Sequence, residues 1–430
     1  MTKKKTKVFN VTEEFGGRYA KHHKFIAVNY NFRYNEVTTQ LEFQTIERGK
    51  ITSDYKDVDD RVRNLILKRM CNEDLDFNNT RFRSFTENDD ISKPYNVIEE
   101  YFTSLPEYSG ETDYIQELAN TIKTDDDKFF YDVLKRYLVG AVDCLLNNNS
   151  NDICLILQGE QGVGKTKWMK TLIPKYLIED FFHESPIDTK NKEHDEYLST
   201  KWFIVLDELE AMRANEINSL KAYVTKTQIS HRKVFKEYRL KFPRRASFLG
   251  NVNDHEFLDD TTGSRRWLAF GAKEINYEHK VDINKVYSQA LYLLQSGTYR
   301  HWFNRTEINS LNERNEKFSI KCKEEEMLMQ NFEVLEAGQA GGEWFSSTEI
   351  VERLVNFYPR TASNLNNRKL SLVLAKLIRM KNGDKKKSYT TKYYLRYTGP
   401  TELNENYSVE VPSHLKIVGE EENIDPEIEF

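Results

Sequence analysis

Gly159-Glu160-Gln161-Gly162-Val163-Gly164-Lys165-Thr166 fits the spacing G-x-x-x-x-G-K-[ST]. The chemistry this permits is phosphate binding. Glycines let the backbone turn so that its N–H groups converge on phosphate oxygens. Lys165 then neutralises charge on the β- and γ-phosphates, and the Thr166 hydroxyl reaches Mg²⁺. Forty-two residues beyond Lys165, the apolar run Trp202-Phe203-Ile204-Val205-Leu206 delivers Asp207-Glu208. Asp207 is expected to hold Mg²⁺, directly or through water, and Glu208 to polarise the attacking water. A further run, Ala246 to Gly250, ends in Asn251-Val252-Asn253-Asp254. An amide at such a strand tip can orient the lytic water, and Asn253 is expected there; the alternative is a turn-forming asparagine. Arg265 and Arg266 precede the apolar Trp267-Leu268. They read either as a solvated turn or as an arginine finger reaching a neighbouring subunit's nucleotide. Arg266 is favoured as the finger because it abuts the strand.

These residues need a strand, a loop and a helix in that order. Ile153 to Leu157 reads as a buried strand, and Trp168, Met169, Leu172, Ile173 and Leu177 recur at helical spacing after the loop. From about residue 150 to 275, strands such as KWFIVL and ASFLGN alternate with helical patterns, the order of an α/β core.

The 430 residues suffice for several domains, and 39% hydrophobic and 13% aromatic content argue against disorder. No apolar run approaches about 18 residues and no signal-peptide pattern follows MTKKKTK, so a soluble, cytoplasmic protein with no membrane partner is expected. Cys71, Cys144, Cys154 and Cys322 form no C-x-x-C pair, which excludes a cysteine zinc site and points to reduced thiols. The net charge of −5 is unevenly spread: residues 221–245 carry nine cations against Glu237, whereas residues 401–430 carry nine acids against Lys416.

The chain reads as multidomain α/β. Residues 1–93 form an N-terminal α/β region, in which FIAVNYNFRY and TTQLEFQTI make a hairpin across Asn35-Glu36. Residues 94–149 form a helical collar, 150–275 the ATPase core, and 276–340 a helical lid or connector. In 341–398, Ser346 to Glu349 is a capping-box pattern. Leu370, Val373, Leu374, Leu377 and Ile378 share one helix face, and Asn382-Gly383, Lys385, Lys386 and Lys387 lead into SYTTKYYLRY. Two helices and a basic hairpin read as a winged helix whose three lysines meet DNA, or as a helical cap with a solvated charge run. Residues 399–430 are an acidic tail, either disordered and solubilising or a docking peptide resembling the acidic, phenylalanine-ending tails of single-stranded DNA-binding proteins.

The order GEQGVGKT, KWFIVLDELEAM, INSLKAYVT, FPRRASFLGNVND and FLDDTTGSRRW resembles the virulence-associated protein E family. These are helicase-like ATPases of phages, satellites and other bacterial mobile elements, related to superfamily 3 helicases within the AAA+ class. The likeness spans roughly residues 25–335, with the block Gly159 to Arg266 its specific part. The family usually has threonines where this chain has Asn251 and Val252. The resemblance implies a ring, commonly a hexamer, that hydrolyses ATP with Mg²⁺ between subunits and moves along single-stranded or forked DNA, 3′ to 5′. It also implies that TKTQISHRKVFKEYRLKFPRR forms a hairpin lining the central channel. Arg232, Lys233 and Lys236 would then offer cations to phosphates and Phe235 a ring to bases or sugars; the alternative is a basic, solvated edge hairpin. Arg244 and Arg245 could instead serve the ATP interface. Nothing in the chain resembles a primase module, so priming is expected from a separate replication protein. The expected activity is ATP-dependent DNA unwinding; the rivals are an origin-binding initiator and a regulatory or anti-phage ATPase that does not unwind.

Overall fold

The computed structural model describes residues 19–400 except 192–193, 208, 210–213, 232–239, 255–256, 259–265, 337 and 388. They form two compact units, one ending at Ile320 and one beginning at Lys321. The fold is mixed α/β with several sheets. No described helix is long and apolar enough to cross a membrane.

Alternation sets the first sheet. Tyr30–Asn35 (β1) pairs antiparallel with Gln40–Glu47 (β2), from Tyr30 opposite Thr45 to Asn35 opposite Gln40, so the turn follows Asn35. Lys50–Ile51 (β3) and Lys56–Asp57 (β4) pair with β2, and Ser92–Tyr95 (β5) lies parallel to β1. Tyr30, Phe32 and Phe43 share a core with Ile66, Met70 and Phe82 of two helices, Asp60–Cys71 and Asn79–Thr86. The expected strand beginning at Phe25 is corrected: Ala20–Asn29 is a helix. Phe25 and Ile26 are buried side by side, which a helix edge allows and an alternating strand does not. The Asn29 Nδ2 also donates to the Phe25 carbonyl one turn back, at 2.9 Å.

The second sheet positions the glycine-rich loop Gly159–Gly164. Its strands are Ile122–Thr124 (β6), Cys154–Gln158 (β7), Phe182–His183 (β8), Phe203–Leu206 (β9), Ser247–Val252 (β12) and Trp267–Ile275 (β13); between β9 and β12, Gln228–His231 (β10) and Leu240–Pro243 (β11) pair with each other. The order is β6-β13-β7-β12-β9-β8. β6 runs antiparallel to β13, and the other neighbours are parallel. Such a sheet is buried on both faces, which is why its strands read as continuous apolar runs. Leu155 and Leu157 share a core with Val133, Leu134 and Leu138 of the helix Asp127–Asn147. Cys154 and Ile156 join Leu206, Phe248, Leu220 and Val224 on the other side. β6 lies inside residues 94–149, the stretch read as a helical collar. The helix after the loop also differs from expectation: it spans only Lys165–Lys170, and a short 3₁₀ turn at Lys175–Leu177 follows. Pro174 supplies no amide and disfavours helix in the residue before it, so the helical spacing that continues to Leu177 is not one helix.

In the second unit, Phe332–Val334 (β14), Glu343–Ser346 (β15), Lys385–Lys387 (β16) and Thr391–Tyr397 (β17) form an antiparallel sheet with β17 pairing to the other three. Residues 321–340, expected in the connector, contribute β14 and the helix Lys323–Asn331 to this unit. Ser346 caps the helix Ser347–Phe357, with Glu349 closing the box. Leu370, Val373, Leu374, Leu377 and Ile378 of Asn367–Met380 are all buried. Each contributes roughly 1.5–3 kcal/mol over exposure, so the apolar face rather than intrinsic propensity holds this helix.

Candidate nucleotide site

The loop Gly159–Gly164 leaves the C-terminal end of β7 and turns directly into its helix. Gly162 and Gly164 have φ of 89° and 96°, the left-handed region that favours glycine. Gly159 N donates to the Val252 carbonyl at 3.1 Å, tying the loop to β12. Glu160 and Gln161 are exposed, while Val163 and Thr166 are half-buried.

Lys165 is only 6% exposed. Its ammonium donates to the carbonyls of Gly159 at 2.6 Å and Glu160 at 3.0 Å, and to Asn253 Oδ1 at 3.0 Å. A second amide from the same strand end, Asn251 Nδ2, donates to Thr166 Oγ1 at 2.9 Å. Gln158 Nε2 holds the Asn253 carbonyl at 3.2 Å. Asp207 is exposed and follows β9, whose last residue, Leu206, lies opposite Gly250 of β12. Lys165, Thr166, Asn251, Asn253 and Asp207 therefore gather at the C-terminal edge of one parallel sheet. Glu208 and Arg265 lie outside the described residues.

Asn251 was passed over in favour of Asn253 at the sequence level. A usable signal was present, since residues two apart on a strand point to the same face. Tyr277 was also missed: its ring lies against Gly164, and no spacing rule marks an aromatic more than a hundred residues after the loop.

Arg266 sits at the other end of the sheet. Its carbonyl accepts from Cys154 N at 2.8 Å, at the start of β7, whereas the loop Gly159–Gly164 leaves the end of that strand. The separation along β7 is about 13 Å at about 3.3 Å per residue, longer than an arginine side chain. Arg266 thus does not reach the loop of its own chain across the sheet.

The basic segment divides into unlike parts. β10 and β11 pair from Gln228 opposite Pro243 to His231 opposite Leu240; Arg232, Lys233, Phe235 and Lys236 fall outside the described residues. Arg244 and Arg245 are buried, at 1% and 9% exposure. Arg244 donates to the carbonyls of Asn151 at 2.7 Å, Ala246 at 3.0 Å and Val224, and pairs with Asp152 at 3.6 Å. Burial pulls its guanidinium below the ordinary range. Arg245 NH1 donates to the Ser199 carbonyl at 3.1 Å. Both join segments at the N-terminal edge of the strands, away from the loop Gly159–Gly164. In the second unit Lys385, Lys386 and Lys387 are all exposed, with Lys386 Nζ 4.2 Å from the Trp344 ring centroid.

Residues 103–320 match the model of the virulence-associated protein E-like domain. No curated protein matches the chain. Among solved structures, the A form of the apo NrS-1 C-terminal region is 11% identical, covering 85% of this chain and 96% of that one at a TM-score of 0.40. Another A-form apo structure of that region gives 11% identity, 86% and 97% coverage and a TM-score of 0.42. With its matched domain spanning the loop, both amides and Asp207, the chain belongs to the virulence-associated protein E-like family.

Proposed function

We propose that this protein is an ATP-hydrolysing DNA helicase of a phage or other mobile element, built on an AAA+ phosphate-loop core and working as a ring, with a winged helix as its second unit. The observation that carries the reading is the convergence of Lys165, Thr166, Asn251 and Asn253 at one sheet edge beside Asp207. Sheet order supports it. The strand ending in the two amides lies between the loop strand and the strand leading to Asp207, so a terminal phosphate in the loop is approached by amide and carboxylate together. A phosphate would replace the Gly159 and Glu160 carbonyls as acceptors for Lys165. The Thr166 hydroxyl and Asp207 carboxylate are hard oxygen donors that suit Mg²⁺, which usually takes one or two protein ligands beside substrate phosphates. Bound there, the ion would neutralise charge on the β- and γ-phosphates. Asn253 would orient water, and Glu208 would accept its proton. Family membership supports the setting of mobile-element replication.

The placement of Arg266 favours a site completed between subunits, since a finger from the far edge serves a neighbour's loop. The exposed lysines of β16, which follows the helix Asn367–Met380 in the chain, also favour a second reading, an initiator that grips duplex DNA. Fork unwinding by the full chain separates the two. Wild type should part the strands with ATP and Mg²⁺ while Lys165→Ala does not. ATP turnover without strand separation would leave the initiator reading in its place.

A further inference from the structure

The polar groups suited to the terminal phosphate all lie on one side of the loop strand. Asn251 lies near the end of β12 and Asn253 just beyond it, Asp207 follows β9, and both strands are on the same flank of β7. A nucleotide whose γ-phosphate points that way sends its nucleoside out over the opposite flank, where β13 lies. There the chain leaving β13 passes back over the loop. Asn276 N donates to the Thr121 carbonyl at 2.8 Å, and Trp168 Nε1 from the loop helix donates to Thr121 Oγ1 at 2.7 Å. His279 Nδ1 accepts from Val281 N at 3.3 Å, which leaves Nε2 to carry the proton of the neutral ring and donate to Thr171 Oγ1 at 2.8 Å. Between these anchors stands Tyr277.

The Tyr277 ring lies against the loop so closely that a Cβ on Gly164 would overlap its Cδ1 and fall 2.7 Å from Cε1. Lys167 Nζ is 4.8 Å from the ring centroid. Tyr277 is half-buried and packs on the main core, so the ring is supported from below and only partly open. We infer that Tyr277 forms the nucleobase subsite of this site, its ring stacking on the base of the bound nucleotide. The inference rests on the nucleotide reading above and adds to it the group that holds the base. Stacking uses the π-face common to every base, so ATP and GTP should both depend on it.

Equilibrium binding of ATP and of inorganic tripolyphosphate to the full chain, each with Mg²⁺, tests the proposal. Tyr277→Ala should weaken ATP binding about tenfold and leave tripolyphosphate binding unchanged, and Tyr277→Phe should bind ATP as wild type does. A parallel loss of both ligands in Tyr277→Ala would overturn the subsite, because the ring would then only brace the loop. Unchanged ATP binding would overturn it as well. Should ATP binding to wild type be insensitive to Lys165→Ala, the nucleotide reading itself would fail and the subsite with it; that result cannot be confused with the other two.

Discussion

Lys165 and Arg244 are both buried cations flanking the strands of the same sheet, one at each end, and they are held in opposite ways. At the N-terminal edge Arg244 gives its donors to main-chain carbonyls of Asn151, Val224 and Ala246, from three separate segments. Those acceptors are fixed parts of the fold. At the C-terminal edge Lys165 donates to two carbonyls of its own loop and to one side-chain amide, beside exposed Glu160, Gln161 and Asp207. On the proposed reading its partners are exchanged for phosphate oxygens without dismantling the sheet. Burial and charge alone do not separate a structural cation from a ligand-binding one. What separates them is whether the acceptors are committed elsewhere.

Arg244→Ala is the largest test of that contrast. It strands three carbonyls and leaves a cavity, so the full chain should lose about 3–5 kcal/mol of stability, measured by urea unfolding. Lys165→Ala should cost about 1 kcal/mol in the same measurement, because of its three acceptors only the Gly159 carbonyl is buried. Equal losses from the two variants would erase the distinction between the edges.

A smaller effect concerns the second unit. Lys392 Nζ at 2.8 Å and the Ser346 amide at 2.6 Å hold the Glu349 carboxyl down at about 2, against an ordinary 4.5. An acid depressed by folding stabilises fully above its unfolded value, and that contribution is lost as pH falls from about 4.5 toward about 2. Glu349 is 45% exposed, so solvent screens most of the effect. Amide exchange in the helix Ser347–Phe357 should quicken across that window more in wild type than in Glu349→Gln at matched pH. Identical profiles would show that the ion pair and cap do not titrate with folding.

Where a local rule was strict, the sequence was readable. The strand, glycine turn and lysine of the loop, the Ser346–Glu349 box, and the apolar face from Leu370 to Ile378 each follow from spacing that only one local structure satisfies. Ala20–Asn29 was not readable as a helix because its buried pair is short and its neighbours alternate. Arg244 and Arg245 look like surface cations in a basic run, since nothing local announces carbonyls brought in from residues 151, 198–199 and 224. Tyr277 was hidden for the same reason. Its meaning comes from β13 lying beside β7, a property of topology and not of spacing.

The central claim is a nucleotide site completed by a neighbouring copy, and mixing two inactive variants tests it most directly. Arg266→Ala keeps the loop and lacks the finger; Lys165→Ala keeps the finger and lacks the loop's cation. ATP turnover should be near zero for each alone and recover in part when the two are mixed, because some sites then pair an intact loop with an intact arginine. No recovery, in mixtures where both variants are shown to share one assembly, would contradict the shared site.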